Sequence, residues 1–203
     1  DVTVLAFVLL GVGFAMTLTK KSLVKNIGQA VLGLSLVFVG LIYIKSSVPA
    51  INTVSQLAVL ITGLASHGVG SVLIFMLIGV VITFLLQSSS VTVVLTMVLA
   101  YLGWLPFPMA AAMVLGENIG TTIGANIAAS DAGVQARRAA LAHTVFNVAG
   151  AVFVLIFFNI FIKINLGLVS LFGLDSRMTA VFGVACVHTL FNAISTLVLV
   201  WFR

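Results

Sequence analysis

An all-α integral membrane fold is predicted for this chain by three observations: 62% apolar against 6% charged residues, a mean hydropathy of +1.34, and apolar stretches long enough to cross a bilayer. The formal net charge of +5 and the pI near 9.9 do not point to nucleic acid. The nine Lys and Arg residues lie mostly between apolar segments, where they read as topology signals. The single cysteine, Cys186, sits inside an apolar stretch, so neither an intrachain disulfide nor a cysteine metal cluster is expected. No charged n-region precedes the first apolar stretch, which is therefore not read as a signal peptide, and a chain opening on Asp1 is expected to be a piece of a longer one.

Four stretches qualify as spans: 2–19, 27–44, 139–162 and 178–202. Lys20, Lys21 and Lys25 follow the first, Arg137 and Arg138 precede the third, and Arg203 follows the last. The positive-inside rule puts these groups together in the cytoplasm, with Lys45, Lys163 and Arg177 outside. Residues 50–66 are only moderately apolar, carry Asn52, Thr53, Ser55 and Gln56, and read as an amphipathic helix in the outer interface.

From Ser46 to Gly116 there is no Asp, Glu, Lys or Arg, and in the middle of that region stands Gln87-Ser88-Ser89-Ser90. An unsatisfied polar group in lipid costs several kcal/mol, so this cluster must be buried in protein or face a ligand-holding cavity. The apolar arm after it, 91–102, reaches roughly 18 Å as a helix and is too short to cross. Residues 69–103 are therefore expected to form a re-entrant helical hairpin, with the Gln-Ser-Ser-Ser turn at its tip and Trp104 as an interfacial anchor. Pro106 and Pro108 suit the first turn of a following helix. Gly116, Gly120 and Gly124 then fall within nine residues that also carry Asn118, Thr121 and Thr122, a pattern expected to break that helix. The expected break lies roughly 15 Å along it, close to the midplane and to the hairpin tip.

Two polar interruptions at matched depth are a binding-site pattern. Helix starts offer N–H groups that suit an anion, and freed carbonyls with Ser, Thr, Asn and Gln oxygens suit a dehydrated Na+. On this reading Ser89, Ser90, Thr121 and Thr122 would wrap an oxyanion such as phosphate. The blander alternative is that these side chains only cap or bridge helices.

The sequence Gln87-Ser88-Ser89-Ser90, an apolar arm, then Gly116-Glu117-Asn118-Ile119-Gly120-Thr121-Thr122 resembles the type II sodium/phosphate cotransporter family, whose hallmark is a QSSS motif followed by N-I-G-T-[TS]. The resemblance covers most of the chain from Ile27 onward. It implies half of an inverted-repeat, elevator-like transporter and Na+-coupled cotransport of inorganic phosphate, rather than an enzyme. It matches Gln87, Ser88, Ser89, Ser90, Thr121 and Thr122 to the substrate site. Gln87, Ser88, Asn118 and Thr121 are candidate Na+ contacts, with no organic cofactor. It also implies a multi-pass protein of a bacterial inner membrane. Only one QSSS copy is present, so the chain resembles the second repeat, and its site is expected to be completed by a missing first repeat or by a second copy. The expected organisation is two transmembrane helices in 1–45, a transport core in 46–135, and two transmembrane helices in 136–203.

Glu117 is the single acid between Asp1 and Asp131 and is a candidate for cation or proton coupling; equally, it can be a carboxylate held by neighbouring polar groups. His143–Asn147 and His188–Asn192 repeat at i and i+4, which places each pair on one helix face and fits interhelical hydrogen bonding better than a metal site. His67 reads as a surface residue. Gly28, Gly33 and Gly40 read as close-packing positions, since no nucleotide-binding P-loop sequence is present. Two other classes stay open from the residues alone. One is an intramembrane serine protease using Ser89, His143 and Asn147, although the serines lack a Gly-x-Ser-x-Gly frame. The other is a membrane scaffold without substrate.

Overall fold

The computed structural model describes residues 2–47, 56–66 and 68–199, and all its regular structure is helical. His67 and most of the polar stretch from Asn52 to Ser55 lie outside the described residues. The chain divides into two compact units, Asp1–Pro49 and Ala50–Arg203.

The first unit is a helical pair, α1 (Val2–Thr17) and α2 (Ser22–Ser47). A Cβ on Gly13 would fall 2.6 Å from the Leu32 backbone nitrogen, and one on Gly28 would fall 2.6 Å from Met16 Cβ. Contacts that climb one helix while descending the other make the pair antiparallel. Of the three glycines expected to pack closely, Gly28 does, whereas a Cβ on Gly33 or Gly40 would meet nothing within 4 Å. The first span is also shorter than expected, a 16-residue helix ending at Thr17.

The second unit contains α3 (Gln56–Leu64), α4 (Val69–Leu86), α5 (Ser89–Tyr101), α6 (Phe107–Ala129), α7 (Val134–Ile156), α8 (Phe158–Ser170) and α9 (Ser176–Leu199). Among the described residues, four helical segments are long and apolar enough to cross a membrane: Ser22–Gly40, Val69–Leu86, Val134–Ile156 and Ser176–Val198. The chain is thus a multi-pass helical membrane protein.

At the centre of this unit is α6, buried on all sides from Met109 to Asn118. Small side chains at Ala110, Ala111 and Ala112 and glycines at 116 and 120 let its neighbours come close. A Cβ on Gly79 of α4 would strike the Met113 carbonyl, one on Gly116 would strike Met76 and Val80, and one on Gly120 would lie 2.6 Å from the Val80 carbonyl oxygen. These contacts advance together along both helices, so α4 and α6 run parallel. In the same way Asn118 meets Asn192, and a Cβ on Gly183 would meet the Phe107 ring, making α9 parallel to α6. Gln87 lies level with Thr121 while Thr96 meets Glu117, so α5 is antiparallel to α6. Asn126 meets Ala140 and Thr144, while Gly150 packs on Phe191 and Ser195 of α9 beside the Asn118–Asn192 pair, so α7 is antiparallel to it too.

The helix expected to break at Gly116 does not break: α6 is continuous from Phe107 to Ala129. Its glycines are contact points for α4, so their conformational cost is offset by packing that a larger residue would prevent. Its polar side chains bond back onto the same helix: Asn118 to the Val114 carbonyl at 2.9 Å, Thr121 to Glu117 at 2.9 Å and Thr122 to Ile119 at 2.7 Å.

The expected span 139–162 is also two helices. It bends at Phe157 (φ −106°, ψ 25°) and continues as α8, which carries Lys163 within it. The bend carries no Gly or Pro; what separates the two helices is the one-sided burial of Phe161, Ile162, Asn165 and Val169 in α8. Trp104 is no interfacial anchor, since it is 4% exposed with its indole N–H buried and without a partner among the described residues.

These contacts give opposite outcomes for two like substitutions. Gly116→Ala gains helix propensity but drives a Cβ into Met76 and Val80, so a net loss of about 1–3 kcal/mol is expected. Gly33→Ala meets open space and should be neutral or stabilising by up to about 1 kcal/mol. Thermal unfolding of the detergent-purified full-length protein distinguishes the two.

Candidate functional site

Between α4 and α5 the chain reverses in two residues, Gln87 and Ser88. Gln87 closes α4 in the left-handed region (φ 53°, ψ 25°), and its N–H donates to the Thr83 carbonyl at 2.8 Å. It is the one non-glycine residue with positive φ among the described residues, a conformation that costs about 1–2 kcal/mol. Ser88 is extended and caps α5: its Oγ accepts from the Val91 N–H at 3.4 Å, and its carbonyl accepts from the Thr92 hydroxyl at 3.0 Å. Ser89, half-buried, and Ser90, exposed, form the first turn of α5. Two helix ends of opposite polarity therefore meet at this turn. The last carbonyls of α4 carry partial negative charge, and the first N–H groups of α5 carry partial positive charge.

Next to the turn, α4 and α6 border a half-open cavity of ≈ 310 Å³ lined by Thr83, Gln87, Gly120, Thr121 and Gly124 among others. No Asp, Glu, Lys or Arg lines it. The space is open at Gly124, where an added Cβ would meet nothing within 4 Å. The structure thus brings together Gln87 and Thr121, which stand 34 positions apart in the sequence. Ser88, Ser89 and Ser90 flank them at the start of α5. Thr122 and Asn118 are not in the cavity wall: Thr122 is buried on the Ile119 carbonyl, and Asn118 accepts from the Asn192 amide at 3.3 Å.

A polar seam on α6 reaches three neighbouring helices. Toward α5, Glu117 is fully buried, and its Oε1 accepts from the Thr96 hydroxyl at 2.6 Å while Oε2 has no partner among the described residues. Toward α9 stands the Asn118–Asn192 pair. Toward α7, Asn126 donates to the Thr144 hydroxyl and at 2.7 Å to the Thr122 carbonyl of its own helix. Of the repeated His/Asn pairs, Asn192 makes the interhelical bond expected of it, whereas Asn147 donates to the His143 carbonyl within α7 at 3.0 Å. His143 is exposed, and nothing in this arrangement favours the Ser89–His143–Asn147 hydrolase. No group of three or more His, Cys, Asp or Glu residues is placed to hold a metal among the described residues.

Sequence reading missed Thr83 and Thr96. Thr83 was legible as the residue one helical turn before Gln87. The meeting of Thr96 with Glu117, 21 positions away, depends on how deeply α5 runs along α6, which no local pattern specifies.

Comparison with known proteins is consistent with this geometry. The family described as Na+/Pi-cotransporter matches residues 53–196. A Bacillus subtilis relative, the uncharacterized protein YqeW, is 35% identical over 160 residues, covering 76% of this chain and 49% of the relative. The Escherichia coli K12 protein named "Putative inorganic phosphate export protein YjbB" is 30% identical over 141 residues, covering 70% of this chain and 25% of that protein. This chain therefore spans between a quarter and a half of the length of these relatives. No solved structure matches it.

The Thr96–Glu117 bond yields a stability prediction. Thr96→Val leaves both carboxyl oxygens without a partner and should destabilise by about 1–3 kcal/mol, whereas Thr96→Ser should not. Melting of the two variants tests this. Combining Thr96→Val with Glu117→Leu should recover much of the loss, since the stranded acid is then gone.

Proposed function

This chain belongs to the Na+/Pi-cotransporter family, and from that premise we propose that it forms one half of a site at which inorganic phosphate crosses the membrane coupled to Na+. The observation that carries the reading is the Gln87–Ser88 turn, which sets the N-terminus of α5 and the C-terminus of α4 side by side at a largely apolar cavity into which Thr83, Gln87 and Thr121 bring neutral polar side chains. Phosphate is held at the start of α5, by the Ser89 and Ser90 N–H and hydroxyl groups with Ser88. Na+ is held by carbonyl and side-chain oxygens of Gln87, Ser88 and Thr121. Asn118 and Thr122 lie outside the cavity wall and order α6 behind it through their bonds to the Val114 and Ile119 carbonyls. Phosphate and Na+ partly neutralise each other, so the site needs no lining charge.

In this reading α4 and α5 are a re-entrant hairpin with the Gln-Ser-Ser-Ser turn at its tip; the parallel course of α4 and α6 and the 13-residue length of α5 support it. Residues 46–135 are the transport core, flanked by the helices of 1–45 and 136–203. The remaining wall of the site comes from a further repeat in a longer chain or from a second copy. A bacterial inner membrane is the setting that fits the relatives. Glu117, one residue before Asn118 and joined to α5 through Thr96, tunes cation affinity by fixing the hairpin arm against α6.

The test is radiolabelled phosphate flux in proteoliposomes containing the full-length protein, under a Na+ gradient or a matched K+ gradient. Wild type should need Na+, and Ser89→Ala and Thr121→Ala should each lose most of the flux. Gln87→Gly keeps the left-handed turn at no steric cost but removes the amide, so it should fold and still transport poorly. Flux indifferent to Na+ would contradict the coupling. In the same assay, Glu117→Gln should shift the Na+ concentration for half-maximal flux; an unchanged Na+ dependence would remove Glu117 from the mechanism.

A further inference from the structure

The substrate reading gives Thr83 no role, and its hydroxyl is unusual. Threonines inside helices commonly bond back to a carbonyl three or four residues earlier, as Thr92, Thr121 and Thr122 do here. Thr83 is 1% exposed, yet its Oγ1 is buried with no hydrogen-bond partner among the described residues. A stranded hydroxyl is costly, and one in a native structure calls for an explanation such as an unseen ion.

Its position supplies one. Thr83 lines the α4–α6 cavity together with Gln87 and Thr121. It stands one helical turn inside the C-terminal end of α4, packed against Gly120, where a Cβ would lie 2.9 Å from Thr83 Cβ. The helix end contributes partial negative charge, and the polar side chains lining this cavity, Thr83, Gln87 and Thr121, are neutral and each offers an oxygen. The Thr121 hydroxyl already gives its proton to the Glu117 carbonyl and so presents a lone pair. A small hard cation is the ligand such a set suits, since Na+ takes carbonyl and hydroxyl oxygens where phosphate needs N–H and O–H donors.

We infer that Thr83 is a further ligand of the coupling cation. Its hydroxyl completes a Na+ site with Gln87 and Thr121 on the α4–α6 side of the turn, while the anion sits at the start of α5 on the other side. The inference rests on the Na+-coupled reading above and adds to it a ligand and a division of the turn into cation and anion faces.

The experiment is equilibrium binding of radioactive Na+ to the purified full-length protein, with wild type, Thr83→Val and Thr83→Ser, followed by phosphate flux at saturating Na+. Valine nearly matches threonine in volume and removes the stranded hydroxyl, so Thr83→Val should melt no lower than wild type. Its half-saturating Na+ concentration should rise about tenfold, equivalent to about 1.4 kcal/mol. Thr83→Ser should follow wild type, and half-saturation by phosphate at saturating Na+ should not change. Wild-type Na+ binding that Thr83→Val leaves intact overturns this inference alone and leaves the cotransport reading standing. A variant that loses phosphate affinity while keeping its Na+ affinity also overturns it and gives the hydroxyl to the anion. Absence of saturable Na+ binding in wild type removes both.

Discussion

The backbone approach of α4 to α6 through Gly79, Gly116 and Gly120 is the contact on which the larger unit depends. With α5, α7 and α9 it buries α6 from Met109 to Asn118, so that Thr96 and Asn192 rather than lipid face Glu117 and Asn118. Small residues on both helices make the approach possible, and van der Waals packing, rather than hydrophobic transfer, supplies its energy in a bilayer. Where the stripe ends, the helices no longer fill the space between them. Gly120 still touches Val80, but Gly124 touches nothing, and the cavity opens there. One sequence device thus closes the core and opens the pocket within three turns.

The same register explains why the Gln87–Ser88 turn has chemical potential. A tight reversal between two apolar helices leaves a set of carbonyls and a set of N–H groups without intrahelical partners, and Ser88 consumes only part of the second. Because α4 runs parallel to α6, the turn is delivered to the level of Thr121 and Gly124 rather than to the start of α6. The left-handed backbone at Gln87 is the strain that buys this two-residue reversal.

Much of this was legible in the sequence. The boundaries of α4 and of its turn follow from an apolar run interrupted by four polar residues, and the membrane class follows from composition. The paired Gln-Ser-Ser-Ser and Asn-Ile-Gly-Thr-Thr motifs pointed to the family that the comparisons then showed. The failures share a cause. Gly116 and Gly120 read as a helix break because propensity counts glycine as a cost, whereas here it is the condition for contact with α4. Apolar runs do not reveal a bend without Gly or Pro, so residues 139–162 look like one span although they cross from α7 into the start of α8, and Trp104 looks interfacial because its burial depends on neighbours remote in sequence. Thr96 and Glu117 meet through the depth of one helix beside another, a quantity absent from any local pattern.

Protection of the cavity by its ligands tests the central claim most directly. Cysteines placed one at a time at Gly124 and Ala125, which line the cavity without supplying a ligand, in an otherwise cysteine-free full-length protein with Cys186 replaced, are to be labelled with a membrane-impermeant thiol reagent. The labelling is run in K+, in Na+, and in Na+ with phosphate. The account predicts that Na+ slows labelling at both positions and that phosphate slows it further only when Na+ is present. Equal labelling rates at both positions in all three conditions would contradict a cation and an anion sharing this turn.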